Sequence, residues 1–220
     1  MTAEPGRVRV KICGVRTVAE AEAIAAAGAD AIGINFYPPS PRYVSPAIAK
    51  DLLAVLPPFV EAVAVVVRPE PELLQFLVEK VGFRTLQIHE GEPGLHWPAV
   101  RYILAAGIAD PHDLDQTEAR LTDWLQRGVN VSGVLLDARV AGKYGGTGQT
   151  PPWPFLARFS RRRPLILAGG LHPDNVAEAI RQVRPFAVDV ASGVESAPGV
   201  KDLHKVHAFL QAVHQASCGG

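Results

Sequence analysis

Eight short runs rich in β-branched residues alternate with Ala-, Leu- and Glu-rich stretches along the 220 residues, at a period of about 25 to 30 residues. Most of these runs are apolar almost throughout, which is how a strand covered on both faces of a parallel sheet reads. Parallel strands joined by right-handed helical crossovers stay open or close on themselves. Eight units in a chain a little shorter than the ~250 residues typical of the closed form favour a single (β/α)8 barrel, so residues 1–220 are read as one domain. A doubly wound open sheet is the alternative. Its phosphate fingerprint, GxGxxG after the first strand, is absent, because Gly14 is followed by Val15, Arg16 and Thr17.

The strand candidates are, in order, 8–12, 31–36, 62–67, 85–89, 102–105, 133–137, 165–168 and 187–190. Between the first two, residues 17–27 open on a cap-type Thr17 and stop at Gly28, as a helix does. Ser45 caps the next candidate, with Pro46 at its first position. Residues 70–81 end at Gly82, and 114–126 end before Gly128. Pro93, Gly94 and Pro98 leave room for only a turn or so of helix between residues 90 and 100. A helix is expected over 152–159, another over 174–183 after Pro173, and a last over 200–216, with 217–220 a frayed tail.

Lys+Arg (22) balances Asp+Glu (22), a net charge of +0. That excludes a basic nucleic-acid-coating surface and a polybasic membrane-docking one. No apolar run reaches the roughly 18 residues of a spanning helix, and the N-terminus lacks the apolar stretch of a signal peptide. Two cysteines near opposite ends, Cys13 and Cys218, make no disulfide scaffold. Cytoplasm is the expected location, with no nucleic acid and no membrane as partner, and a monomer or homodimer as the assembly. No HExxH, CxxC or EF-hand loop occurs. His204 and His207 stand three apart with no acidic or thiol companion and read as surface histidines. No metal and no cofactor are expected.

A barrel places its chemistry at the C-terminal ends of its strands. Standing there are Cys13 and Gly14, then Asn35 and a Pro-rich loop with Arg42, then Arg68, then Gln87 and His89, then Asp137 before a Gly-rich stretch. Gly169 and Gly170 follow the seventh strand, and Asp189, Ser192 and Gly193 close the eighth. Two glycine turns after strands 7 and 8 can offer backbone N–H groups to a phosphate without a Cβ in the way. That suits a neutral protein, whose phosphate would sit on amide dipoles rather than lysines. Cys13 on position alone reads as a small buried residue; a cation or helix N-terminus lowers such a thiol, and Lys11 stands two residues away. Asp137, ending an apolar run, must be solvated, paired or functional. Arg42 could clamp a carboxylate or phosphate bidentately, although loop arginines are commonly just solvated.

Taken in order, these stretches resemble the phosphoribosylanthranilate isomerase family of tryptophan biosynthesis. The resemblance rests on Val10-Lys11-Ile12-Cys13-Gly14, Ser40-Pro41-Arg42-Tyr43-Val44, Leu86-Gln87-Ile88-His89, Leu135-Leu136-Asp137 and Gly145-Gly146-Thr147-Gly148. It continues through Leu167-Ala168-Gly169-Gly170-Leu171, Asp189-Val190-Ala191-Ser192-Gly193-Val194-Glu195 and Lys201-Asp202. It runs from about Val10 to Asp202, with KICG and SGVE its most specific parts. The resemblance implies a cofactor-free barrel that converts a small phosphosugar, N-(5-phosphoribosyl)anthranilate, to 1-(2-carboxyphenylamino)-1-deoxyribulose 5-phosphate. It implies Cys13 as general base, Asp137 as general acid and Arg42 on the anthranilate carboxylate. Gln87 and His89 become substrate-binding, and Gly169, Gly170, Asp189, Ser192 and Gly193 phosphate-binding. Two departures stand out: Glu90, where the family usually has glycine, and Ala191, where it often has serine.

An acid that opens the sugar ring must be protonated when it acts. Asp137, with an ordinary value near 3.9, would need burial or substrate charge to raise it. Other phosphosugar barrels fit less well. A histidine-pathway aldose–ketose isomerase would be expected to carry an aspartate rather than Cys13, and an indoleglycerol-phosphate synthase a lysine and glutamates in the mouth. A non-catalytic phosphate-binding barrel would keep the glycine turns and need no cysteine–aspartate pair. The 142–150 loop, with its glycines, could close as a lid.

Overall fold

A computed structural model describes residues 7–94, 97–138, 153–159 and 162–218. Eight parallel strands pair in sequence order: β1 (Arg9–Cys13), β2 (Ala31–Asn35), β3 (Glu61–Val67), β4 (Thr85–His89), β5 (Arg101–Ile108), β6 (Val131–Ala138), β7 (Leu165–Ala168) and β8 (Ala187–Val190). β8 pairs back onto β1, with Arg9 opposite Ala187 and Lys11 opposite Asp189, so the sheet is the expected closed barrel. Around it lie α1 (Val18–Ala26), α2 (Ala49–Ala54), α3 (Pro71–Gln75), α4 (Pro111–Gln126), α5 (Trp153–Leu156), α6 (Val176–Val183) and α7 (Leu203–Cys218). After β8 the chain makes a small antiparallel pair, β9 (Glu195–Ala197) and β10 (Val200–Lys201).

The period-2 alternation of each strand divides its residues between two cores. Val10, Ile12, Ile32, Ile34, Leu86, Ile88, Leu104, Val134, Leu136, Val188 and Val190 point outward and pack with Leu121, Trp124, Ile180 and Phe209 of the helices. Val63, Val65, Ile103, Ala105, Leu135, Ile166, Ala168 and Ala187 fill the barrel interior, with Cys13 and Ala31 against them. Burial on both faces explains why the runs read as continuously apolar.

Thr17 caps α1 through a reciprocal pair: Glu20 N donates to Thr17 Oγ1 at 3.2 Å, and Thr17 N donates to Glu20 Oε2 at 3.3 Å. Several boundaries differ from the sequence expectation. α4 starts three residues before Leu114, because Asp110 accepts from His112 N and Asp113 N and Pro111 suits a first turn. Ser45 makes no side-chain cap, and a 3-10 turn (Pro46–Ile48) precedes α2. The stretch expected as one helix to Val81 is α3 followed by a π turn, Phe76–Val81. Residues 200 and 201 are strand rather than helix, since they pair with β9 across a turn at Pro198 and Gly199. α7 continues to Cys218, beyond the expected tail at 217. Among the described residues no helix joins β4 to β5, and none is long and apolar enough to cross a membrane.

Glu90, directly after β4, has φ +49°, and Gly91 follows at +95°. A left-handed backbone costs a side-chain-bearing residue roughly 1–2 kcal/mol. Its ion pair with Arg68 (3.2 Å) joins two exposed side chains and contributes little. After allowing for the looser unfolded chain of a glycine, Glu90→Gly is expected to stabilise the fold by about 0.5–1 kcal/mol, raising Tm by roughly 1–4 °C. Scanning calorimetry checks this, and a fall in Tm would mean that the ion pair outweighs the strain.

Candidate active site

The inward positions of β1 are Lys11 and Cys13, one turn of the pleat apart. On β2 the residue paired with Cys13 is Gly33. A Cβ built on Gly33 would lie 2.8 Å from Lys11 Nζ and 3.0 Å from Cys13 Sγ, so both tips crowd the space that glycine leaves. Lys11 Nζ donates to Asp189 Oδ1 at 2.8 Å, with side chains 4% and 8% exposed. Cys13 is a free thiol. Burial is the largest influence on it and pushes it above its ordinary value; Lys11 and Lys201 pull down, and Asp189 pushes up. On position alone Cys13 reads as a buried residue, and burial does outweigh the pull of the nearby cation. Burial also works against the charge of Lys11, yet Asp189 and Cys13 together hold its value above the ordinary one.

The loop after β2 carries Arg42 over the same end. Ser40 Oγ accepts from Arg42 N at 3.1 Å, and Val44 N donates to Asn35 O at 2.8 Å, which folds the loop back on the strand. Arg42 then crosses Gly14, where a Cβ would stand 2.4 Å from Arg42 Cδ. Its Nε and Nη2 donate to the two carboxylate oxygens of Glu195, each at 2.7 Å. Glu195 Oε1 also accepts from Lys201 Nζ at 2.8 Å, and the same Nζ reaches Ala191 O at 3.1 Å. The Lys201 side chain is 0% exposed and that of Glu195 4%, while Arg42 keeps 22%. Burial tends to raise the Glu195 carboxyl, but Arg42 and Lys201 hold it below its ordinary range. Arg42 in turn is held firmly charged by Glu195. Two of the five guanidinium N–H groups are used this way, and among the described residues the Nη1 side takes no hydrogen-bond partner.

The β9–β10 hairpin fixes this trio. Lys201 N donates to Glu20 Oε1 at 3.0 Å, and Arg16 N donates to Glu20 Oε2 at 3.0 Å, so one carboxylate ties the hairpin to the start of α1. A Cβ on Gly199 would strike Pro41 O at 2.5 Å.

On β6 Asp137 follows the inward pattern of Leu135, so it faces the barrel interior from across β7 and β8 relative to Cys13. Gly169 makes space for it: a Cβ there would lie 2.7 Å from Asp137 Oδ1 and 2.2 Å from Ala138 O. Gly169 and Gly170 have φ of +95° and +61°, and the turn is held by Asn175, whose Nδ2 donates to Gly170 O at 2.9 Å. Ser192 and Gly193 open a 3-10 turn after β8. A Cβ on Gly193 would be 1.9 Å from Leu171 O, so the two glycine turns lie directly against each other. Gln87 and His89 face inward on β4 with their Nε2 atoms 2.7 Å apart; Gln87 Oε1 is buried without a hydrogen-bond partner among the described residues.

The strand-end residues therefore converge on one end of the barrel. Asp189, which the resemblance implies is phosphate-binding, faces the barrel interior and accepts from Lys11 Nζ. The 142–150 loop lies outside the described residues. Sequence reasoning missed Glu195 and Lys201 as site residues. Their signal was an acidic and a basic residue flanking Pro198-Gly199, the mark of a hairpin pairing opposite charges across its strands. Among the described residues no group of three or more His, Cys, Asp or Glu could hold a metal ion.

A thiol, a carboxyl group, a half-free arginine fork and two apposed glycine turns suit proton transfers on a small anionic molecule. Comparison with known proteins agrees. A family model described as N-(5'-phosphoribosyl)anthranilate (PRA) isomerase matches residues 10–212. The N-(5'-phosphoribosyl)anthranilate isomerase of Magnetococcus marinus is 42% identical over 217 residues, covering 96% of this chain and 98% of its own. The crystal structure of phosphoribosyl anthranilate isomerase from Thermotoga maritima superposes with a TM-score of 0.80 at 38% identity, over 94% of this chain and 98% of that one. A phosphoribosyl anthranilate isomerase in complex with reduced 1-(o-carboxyphenylamino)-1-deoxyribulose 5-phosphate gives 0.76 at 36% identity, over 94% and 98%.

Removing one member of a buried ion pair strands the other charge, at about 3–5 kcal/mol. Because Arg42 still neutralises Glu195, Lys201→Met is expected to cost about 3 kcal/mol in urea unfolding, and Lys201→Met/Glu195→Gln less than Lys201→Met alone. Glu195 titrates lower folded than unfolded. Its contribution is therefore whole above the ordinary glutamate range and is lost as the pH falls through that range and below it.

Proposed function

The chain belongs to the N-(5'-phosphoribosyl)anthranilate isomerase family, and from that premise we propose how its own residues perform the reaction. It is an isomerase of tryptophan biosynthesis that converts N-(5'-phosphoribosyl)anthranilate to 1-(2-carboxyphenylamino)-1-deoxyribulose 5-phosphate. The observation that best supports the assignment of roles is the shared inward register of Cys13 and Asp137, at the C-terminal ends of strands separated by β7 and β8.

Asp137, as the carboxylic acid, gives its proton to the furanose ring oxygen. The C1–O bond breaks, and the anthranilate nitrogen lone pair forms the C1=N iminium. That cation acidifies the hydrogen on C2. The Cys13 thiolate takes it, and the C–H electrons become the C1=C2 bond of an enolamine while the nitrogen becomes neutral. The enolamine tautomerises to the C2 ketone with a CH2 at C1. No atom is gained or lost. General acid and base groups of this kind each contribute about 10² to 10⁴ in rate.

The rest of the site orients the substrate. Arg42, with Nε and Nη2 given to Glu195, offers its Nη1 side to the anthranilate carboxylate. Gly169, Gly170, Ser192 and Gly193 offer main-chain amides to the phosphate. Gln87 and His89 line the sugar's path, and Gln87 Oε1 is an acceptor awaiting a hydroxyl. Asp189 has no part in phosphate binding in this scheme.

Cys13→Ala and Asp137→Ala are expected to fold and to lose at least 10²-fold in kcat. Turnover is followed by the fluorescence change of phosphoribosylanthranilate made in situ, and wild-type-like rates in either variant would remove that residue from its role. Arg42→Ala should act mainly through KM. A large loss of kcat at unchanged KM would show that the guanidinium serves the transition state rather than binding.

A further inference from the structure

We propose that Lys11, held in place by Asp189, is the positioning cation of the base: it keeps a charge beside Cys13 Sγ so that the thiolate forms where the C2 proton must leave. The proposal deepens the reading above and rests on Cys13 being the base.

Three features of the geometry carry it. The first is the convergence over Gly33. A strand interior is a poor place for glycine, and one there commonly marks a close approach. Here the space a methyl group would take is bounded by Lys11 Nζ at 2.8 Å and Cys13 Sγ at 3.0 Å. The second is burial. Lys11 is only 4% exposed, and a lysine is retained in such a place only when its charge is matched. Asp189 at 2.8 Å matches it, and of the three ammonium donors Asp189 Oδ1 takes one. The third is that the reaction scheme gives this pair nothing else to do, although both residues face the chamber in which the chemistry occurs.

Other charges face the thiol. From β8 Asp189 opposes the thiolate; from β10 Lys201 favours it; from the loop after β2 Arg42 is close enough to couple with it. Arg42 and Lys201 share Glu195, which offsets their charge. Lys11 is the cation that shares a pocket with the sulfur. Burial still leaves the thiol raised with Lys11 present, so without Lys11 it would rise further. A raised thiol is scarcer as thiolate but a stronger base once formed, and Lys11 decides how scarce.

The test uses the full chain with Cys218→Ser, which leaves Cys13 as the sole thiol. Iodoacetamide alkylation of Cys13 is followed by mass spectrometry from pH 6.5 to 10. The high-pH plateau reports access and the midpoint reports ionisation, so the two are separable. Lys11→Met is expected to slow alkylation at pH 8 about tenfold and move the midpoint up about one pH unit, the usual effect of losing one nearby opposite charge. Lys11→Arg should stay within about threefold of the parent, by keeping the charge. Gly33→Ala removes no charge but drives a methyl between the two tips, and it should shift the midpoint upward as well. The acidic limb of kcat/KM should move with the alkylation midpoint in each variant. Unchanged midpoints in Lys11→Met and Gly33→Ala overturn the proposal; if Lys11→Met does not fold, Gly33→Ala decides. A Cys13→Ser protein that turns over at the parent rate would instead remove Cys13 as base. Unchanged alkylation beside an inactive Cys13→Ser would remove only Lys11.

Discussion

The seam where β1 closes on β8 sets the order of the site. In that pairing Lys11 stands opposite Asp189, and the two side chains meet inside the barrel at 2.8 Å. A slip of one residue in β1 at the seam would turn Lys11 and Cys13 outward into the outer core, and would bring Val10 and Ile12 into the chamber. A lysine moved into that outer core would have no carboxylate to meet it, at a cost of several kcal/mol. The pair therefore opposes misregister at the seam that closes the barrel. The same register aims the thiol at the chamber, so one pairing serves both closure and chemistry.

The hairpin after β8 solves a second problem by similar means. Arg42 rides on a loop, and a loop alone would leave its guanidinium free to sweep. Glu195 grips its Nε edge, Lys201 holds Glu195, and Glu20 holds the backbone of Lys201 while capping α1. Each step passes the position of the arginine to a more rigid element, ending at a helix packed on the barrel. A bidentate grip also fixes the plane of the guanidinium, which a single bond would leave to rotate. The arrangement keeps a charged fork partly exposed at the mouth while most of its restraint lies underneath, in buried groups.

Strand number, closure and the crowd of reactive residues at one end were legible in the sequence. A strand buried on both faces has a distinct composition, and short loops leave little freedom of connection. Helix boundaries were legible where a cap and a glycine agreed, as at Thr17 and Gly28. They failed where the deciding bond is tertiary. Val200 and Lys201 have helix-compatible letters but belong to a strand, because Glu195–Ala197 lies across from them and Glu20 takes the Lys201 amide. Asp189 shows a related limit: its position after an apolar run places it near the phosphate turns, and only the seam register says that it faces Lys11. Local sequence carries position along a strand; the partner across the sheet is carried by closure.

The glycines show the same division from the other side. Gly14, Gly33, Gly169 and Gly193 look alike in a sequence, and a turn would account for most of them. In the fold each clears space for a different group: the Arg42 stem, the Lys11 and Cys13 tips, the Asp137 carboxylate and the carbonyl of Leu171. Gly33 is the most telling. It sits inside β2, needs no left-handed backbone, and makes its strand weaker than an alanine would. What it returns is a space the size of a methyl group, crowded by a cation and a sulfur. Stability lost in the strand is thus linked to close packing of charge at the base, and a side chain at that position would strengthen the sheet while separating the groups on which the proton transfer depends.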